Sequence, residues 1–313
     1  MRIFTLTLNP AFDLHAKADS FALHRESVAD ITARDAGGKG VNISRALTAF
    51  GVENKAVVLL GSENGDSFAS MLDSYGLLHT DFVTEGRIRE NVTLHVAGEP
   101  ETRLSFRGFT THDSMLDEIE AVLLAQIEPG DAVTFTGSIP QGFTHARVMT
   151  FLSRIKMRGA QLVIDSKSIT REDLVALRPA LIKPNKEEIT AYIGHSVDTL
   201  ADAVAGARAL AGAGIGNVMI SFGGEGALLV ASGHTFLARP PRIVPLSTVG
   251  AGDSAIAGFL YAAEEGLPAM DCLRTAVAFG TAACLTEGTN PPKKEDVAKI
   301  LPDVFVQEVL ADL

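Results

Sequence analysis

Cysteine is scarce in this chain of 313 residues, with only Cys272 and Cys284, both in apolar surroundings of helical period. Two such residues supply neither a disulfide framework nor a metal cluster, so they read as core residues of a protein in a reducing cytoplasm. Positive charge is short as well: 27 Lys and Arg stand against 38 Asp and Glu, a net charge of −11. Nucleic-acid and anionic-membrane binding need extended basic surface, so neither is expected, and a phosphorylated ligand must be met by a few local cations. No apolar stretch approaches membrane-spanning length. The sequence opens on a strand-like run, Ile3 to Leu8, without the basic and long apolar regions of a secretory signal. Two nucleotide-binding patterns are also missing. Gly-x-x-x-x-Gly-Lys-Ser/Thr occurs nowhere, which argues against a P-loop enzyme, and no Gly-x-Gly-x-x-Gly follows the first strand, which argues against a nicotinamide-binding unit.

What is present suits a soluble enzyme with a large core: 46% of residues are hydrophobic and 21% charged. Helical periodicity from Val41 to Phe50 is followed by a strand, Lys55 to Leu60, and a helix around Ser67 to Tyr75. From Ser114 the alternation is regular: helix to Ile127, strand Ala132 to Thr136, helix His145 to Arg158, strand Gln161 to Asp165, helix Arg171 to Leu177 and strand Leu181 to Lys183. Helices Lys186 to Ile193 and Leu200 to Ala213, strands Asn217 to Phe222 and Gly226 to Ala231, and C-terminal helices complete it. The expectation is one α/β domain over 1–313, with a mainly parallel sheet between two layers of helices. Short β-like pieces at Val28 to Ala33, Asn91 to Ala97 and Thr102 to Phe106 lie outside this alternation and read as a small separate sheet. Ligands of such folds bind at the carboxyl ends of the strands, where Asp165, Lys183 to Asn185, Ser221 to Gly226 and Gly250 to Asp253 fall.

The most informative stretch is Ser247-Thr248-Val249-Gly250-Ala251-Gly252-Asp253-Ser254. Two glycines let successive backbone N–H groups converge on an anion at a helix N-terminus, and Asp253 follows where an attacking hydroxyl must lose its proton. A plain helix cap is the competing explanation. A second cluster, Gly37-Gly38-Lys39-Gly40-Val41-Asn42, precedes a helix with Ile43, Leu47 and Phe50 on one face. Lys39 offers a cation, and Asn42 both donates to and accepts from hydroxyls, the mixed chemistry that a polyol demands. A tight loop with a solvated lysine is the alternative there.

Taken together, these two signatures resemble those of the ribokinase-like, or PfkB-type, carbohydrate kinases. Further pieces occur in the family's order: Thr136-Gly137-Ser138-Ile139-Pro140, Asp165-Ser166, Lys183-Pro184-Asn185-Lys186-Glu187-Glu188 and Ser221-Phe222-Gly223-Gly224-Glu225-Gly226. The opening Thr7-Leu8-Asn9-Pro10-Ala11-Phe12-Asp13-Leu14 and the segment Gly86 to Val92 are similar to the branch that phosphorylates sugars already carrying a phosphate. The resemblance implies a three-layer α/β/α fold with a β-sheet lid formed by about residues 12–35 and 87–109. It also implies transfer of a phosphoryl group from ATP, with Mg2+, to a ketose phosphate. The expected acceptor is fructose 1-phosphate, with tagatose 6-phosphate and fructose 6-phosphate as alternatives and a non-catalytic sugar-phosphate sensor as a more distant one.

By the same resemblance Asp253 is the base, and Gly250, Ala251 and Gly252 shape the anion hole. Asp13, Gly38, Lys39, Asn42, Arg89, Arg103 and Ser138 bind the sugar phosphate. Lys183, Asn185, Ser221, Gly223, Glu225, Gly226, Ser247 and Val249 bind the nucleotide. Asn185 and Glu188 orient Mg2+ through water, although a capping Asn with a solvated Glu explains the same spacing. Exposed apolar lid strands imply a homodimer with lid packed on lid. Two residues depart from the branch's pattern, Glu90 after Arg89 and Arg107 before Gly108. Either would alter which sugar phosphate fits if it faced the substrate.

Overall fold

In chain order the elements of the computed structural model begin with β1 (Ile3–Thr7), β2 (Ala11–Ala18), β3 (Asp30–Gly37), α1 (Lys39–Ala49), β4 (Asn54–Gly61), α2 (Gly65–Ser74), β5 (His79–Thr84), β6 (Arg89–Val96) and β7 (Thr102–Leu104). There follow α3 (Asp113–Gln126), β8 (Ala132–Thr136), α4 (His145–Met157), β9 (Gln161–Asp165), α5 (Arg171–Leu177), β10 (Leu181–Ile182), α6 (Lys186–Ile193) and α7 (Leu200–Gly212). The last are β11 (Asn217–Ser221), β12 (Ala227–Ala231), β13 (His234–Arg239), α8 (Ala251–Glu264), α9 (Ala269–Ala283), α10 (Lys294–Ile300) and β14 (Phe305–Glu308). Residues 1–309 are described; 310–313, the end of the domain expected over 1–313, lie outside the described residues.

Ten strands form one sheet in the order β14-β13-β12-β11-β10-β9-β8-β1-β4-β5. The run from β11 to β5 is parallel, and β12, β13 and β14 extend it as an antiparallel edge. Strands covered on both faces must be apolar on both, which is why β1 reads Ile-Phe-Thr-Leu-Thr with every residue buried. One apolar cluster joins alternate strand residues such as Phe4, Leu6 and Val133 to α3–α7, through Leu116, Phe151 and Leu174. The other joins Ile3, Val163 and Leu229 to α1, α8, α9 and α10, through Leu47, Ile256 and Phe279. Small residues let α8 press against α9: a Cβ on Gly258 would lie 2.7 Å from the Phe279 ring.

The small sheet has the order β3-β2-β6-β7. Its strands are longer than the sequence pattern suggests. Ala11 to Ala36 looks polar and mixed, yet it contains β2 and β3, paired from Ala11–Gly37 to Lys17–Asp30. The reason is alternation: Asp13 and His15 point to one side and Phe12 to the other, and all three are buried. Polar residues buried against a site do not advertise a strand by hydropathy. Strands β5, β13 and β14 are likewise unmarked in sequence; β5 and β14 are sheet edges, where burial is partial.

Candidate active site

A cavity of about 360 Å³ lies between the small sheet and the carboxyl ends of β1, β8, β9 and β10. Its wall on the body side starts from two helix N-termini. Gly38, with φ of 120°, precedes α1, and Gly250, with φ of 79°, precedes α8; a side chain at either would be strained. Neither helix is capped by a side chain. The Gly252 and Asp253 N–H groups therefore have no intramolecular partner among the described residues and open toward the cavity. Ser247 fixes this turn by accepting from the Val249 N–H at 3.2 Å.

The two signature loops, 211 positions apart, meet here: Asn42 Nδ2 donates to Asp253 Oδ2 at 2.8 Å. Asp253 is buried, and burial pushes its carboxyl up to about 6, opposed by Lys39 and the Asn42 hydrogen bond. A buried carboxylate poised near neutrality suits a proton acceptor. Lys39 Nζ donates to Asp165 Oδ2 at 2.9 Å, and Lys183 Nζ lies 3.4 Å from the same oxygen. Lys39, expected to bind the sugar phosphate, is thus held on the body side of the cavity by a buried carboxylate, within reach of the Asp253 charge. Lys183, expected beside the nucleotide, lines this same cavity, where a Cβ on Gly252 would meet its Nζ at 3.1 Å.

The small sheet supplies the opposite wall. Asp13 is buried and its carboxyl is raised by that burial, against a 3.0 Å bond from Asn91 Nδ2. The cross-strand register sets this pair, because Asp13 lies opposite Asn91. Arg89 donates to the backbone carbonyls of Asn9 (3.1 Å), Pro10 (3.4 Å) and Phe106 (3.0 Å), and burial lowers its pKa. It therefore ties the small sheet to the segments beside it as well as facing the cavity, with N–H groups to spare from its five. Arg103 faces the same space. Ser138 lines the cavity and accepts from Asn9 Nδ2 at 2.9 Å.

Glu90 points away. Strand alternation sends it to the other face of β6, where it pairs with Arg34 and Arg87, each at 3.4 Å. Arg107 is exposed and is not among the cavity's lining. Neither departure touches the cavity.

A second cavity of about 610 Å³ lies next to the first along the sheet, lined by Asn185, Thr199, Ser221, Gly223, Glu225 and Arg239 among others. Gly226 closes the turn between β11 and β12, its N–H donating to Gly223 O at 3.1 Å. Asn185 and Glu188 form a reciprocal cap on α6: Asn185 Oδ1 accepts from the Glu188 N–H at 2.9 Å and Glu188 Oε2 from the Asn185 N–H at 3.0 Å. The cap uses one oxygen of each side chain and leaves the second Glu188 oxygen free. That donor set fits a hydrated Mg2+ held through water, and its charge already helps keep Lys39 protonated. No group of three or more acidic, His or Cys side chains suited to direct chelation occurs among the described residues. Asn9, Asn91 and Asp165 have no role assigned from the sequence, although Asp165 falls at a strand's carboxyl end there. Only the last position carried a usable signal.

A body sheet without a P-loop, a carboxylate at an uncapped helix N-terminus and a cationic lid define a phosphotransferase that acts on a hydroxyl. The pfkB family carbohydrate kinase model matches residues 11–296, and the chain belongs to that family. It is 30% identical over 309 residues to 1-phosphofructokinase of Escherichia coli K12, covering 98% of each chain. It is 32% identical over 309 residues to 1-phosphofructokinase of Rhodobacter capsulatus, again covering 98% of each. The structure of Escherichia coli phosphofructokinase-2 in complex with substrates and products superposes with a TM-score of 0.91 at 26% identity, over 97% of this chain and 99% of that one. No helix among the described residues is long and apolar enough to cross a membrane.

Proposed function

We propose that this kinase transfers the γ-phosphate of ATP to the free primary hydroxyl of fructose 1-phosphate, giving fructose 1,6-bisphosphate and ADP. One observation carries the reading: Asp253 with Asn42, and Arg89 with Arg103, line one cavity from opposite walls. A sugar phosphate can span it with its anion at the arginines and its hydroxyl at the carboxylate. Asp253 takes the hydroxyl proton as the new O–P bond forms and the bond to the β,γ-bridging oxygen breaks. The Gly252 and Asp253 N–H groups stabilise charge on the group in transit. Asp13, Asn42 and Gly38 orient the sugar hydroxyls, and the guanidinium groups grip phosphate oxygens. The larger cavity takes the nucleotide, with Ser221, Gly223 and Glu225 at its wall. Glu188 and Asn185 would hold Mg2+ through water, and the ion would supply charge neutralisation for the triphosphate.

The small sheet covers the sugar and excludes water. Exposed apolar residues on its strands (Ile31 and Leu104) and on the segments that flank them (Leu23, Val28 and Phe106) support a homodimer in which lid packs on lid, and the cysteine content suits a cytoplasmic enzyme. Coupled ADP release on fructose 1-phosphate, fructose 6-phosphate and tagatose 6-phosphate tests the assignment. The highest kcat/KM is expected with fructose 1-phosphate; preference for either 6-phosphate would transfer the assignment to it, and no turnover on any would refute it. Sedimentation of the purified chain should show twice its monomer mass.

A further inference from the structure

The end of β9 carries a group that the mechanism above does not use. Asp165 is buried at the middle of the sheet, and its Oδ2 is shared by two ammonium groups, Lys39 from α1 at 2.9 Å and Lys183 from the end of β10 at 3.4 Å. Its own backbone carbonyl takes a further contact from Lys39 at 3.4 Å and accepts the Gly137 N–H at 3.0 Å. Both lysines face the cavity that holds Asp253, and among the described residues no other acidic side chain lines this end of it.

We propose that Asp165 is a positioning residue: it holds Lys39 and Lys183 as a pair flanking the transferred phosphoryl group and keeps them from closing onto Asp253. Lys183 is buried and Lys39 half-buried; left beside one lone carboxylate, they would close onto it, since a cation removed from water needs a partner at contact. An Asp253 so paired would be a weak base, its lone pairs engaged and its proton affinity lowered. With Asp165 present the four groups balance, two positive and two negative, and Asp253 keeps its bond to Asn42. The charged groups that act on Asp253 are Lys39, Lys183 and Asp165; the lysines lower its pKa and Asp165 raises it. Loss of the Asp165 charge therefore shifts Asp253 downward, both directly and by releasing the lysines.

The inference rests on Asp253 acting as the base, and the test separates the two. Steady-state ADP release with fructose 1-phosphate is measured from pH 5 to 9 for the wild type, Asp165→Asn, Asp165→Glu and Asp253→Asn. Asp165→Asn should lose ~10²-fold in kcat, the cost of misplaced groups, and the acid limb of its kcat/KM profile, which reports the free enzyme, should lie below that of the wild type. Asp165→Glu keeps the charge that holds the lysines away from Asp253 but moves the pair relative to the phosphoryl group, so its limb should stay in place while kcat falls at least about 10-fold. A merely structural Asp165 would lower the amount of active enzyme without moving the limb. Unchanged kcat in both Asp165 variants, or a limb fixed in folded Asp165→Asn, overturns the inference. If Asp165→Asn does not fold, wild-type kcat in Asp165→Glu overturns it. Normal turnover in Asp253→Asn instead removes the base itself.

Discussion

Replacing Asp253 by Asn should separate catalysis from stability, and in opposite directions. Asp253 is buried beside Asn42, and its carboxyl is raised from 3.8 to about 6. Above pH 6 the folded chain holds this group charged against its desolvation. A shift of that size corresponds to a ceiling of about 3 kcal/mol, reduced where Asn gives up the attraction of Lys39. The stabilisation from a raised carboxyl is present below the unfolded value near 4 and disappears as pH rises through 6. Asp253→Asn should therefore be more stable than wild type at pH 8, by roughly 1–3 kcal/mol, or a few degrees in Tm for a chain of this size. Near pH 4 the difference should vanish. Turnover should fall at least ~10²-fold, with KM for both substrates nearly unchanged. Thermal melts at pH 8 and pH 4, with ADP release at pH 8, make the comparison. A variant less stable than wild type at pH 8, or one retaining a tenth of wild-type kcat, would refute the reasoning.

Other expectations follow from the same geometry. Arg103→Ala should raise KM for the phosphosugar about 10–100-fold, the loss of one charge-assisted phosphate contact, and leave KM for ATP and the melting temperature alone; equal effects on both KM values would deny it a phosphate role. Arg89→Ala should do the same to the phosphosugar but also speed amide exchange at Phe106, because its three carbonyl bonds tie the segment after β7 to Asn9 and Pro10. Glu90→Ala should change KM for every sugar phosphate less than about 3-fold, since its partners Arg34 and Arg87 lie on the far face; a shift in sugar preference would place it in the site. Gly258→Ala should destabilise by about 1–3 kcal/mol, as a methyl group meets the Phe279 ring, and unfolding in urea measures it.

The parts legible in sequence are those whose chemistry is local. Gly250 and Gly38 announce helix N-termini because only glycine enters those turns without strain, and Asp253 and Asn42 follow them at fixed spacing. The alternation of helix and strand declares the parallel sheet for the same reason. What stays hidden depends on pairing across the chain. Asn91 becomes a partner of Asp13 through strand register, and Asp165 becomes a shared counter-ion only when β9 and β10 lie side by side. Glu90 looks like a change in specificity when read beside Arg89, yet neighbours along a strand face opposite ways. Asn185 and Glu188 carry two meanings in one spacing, a cap on α6 and the proposed outer-sphere hold on Mg2+, and the cap is the one formed within the chain itself.

The most direct measurement is a crystal structure of the chain with fructose 1-phosphate and a non-hydrolysable ATP analogue. The account predicts the sugar's free primary hydroxyl within hydrogen-bond distance of Asp253, its phosphate on Arg89 and Arg103, and the nucleotide in the larger cavity. A sugar phosphate bound with its anion at Lys39 and Lys183 and its hydroxyl toward the lid would contradict it.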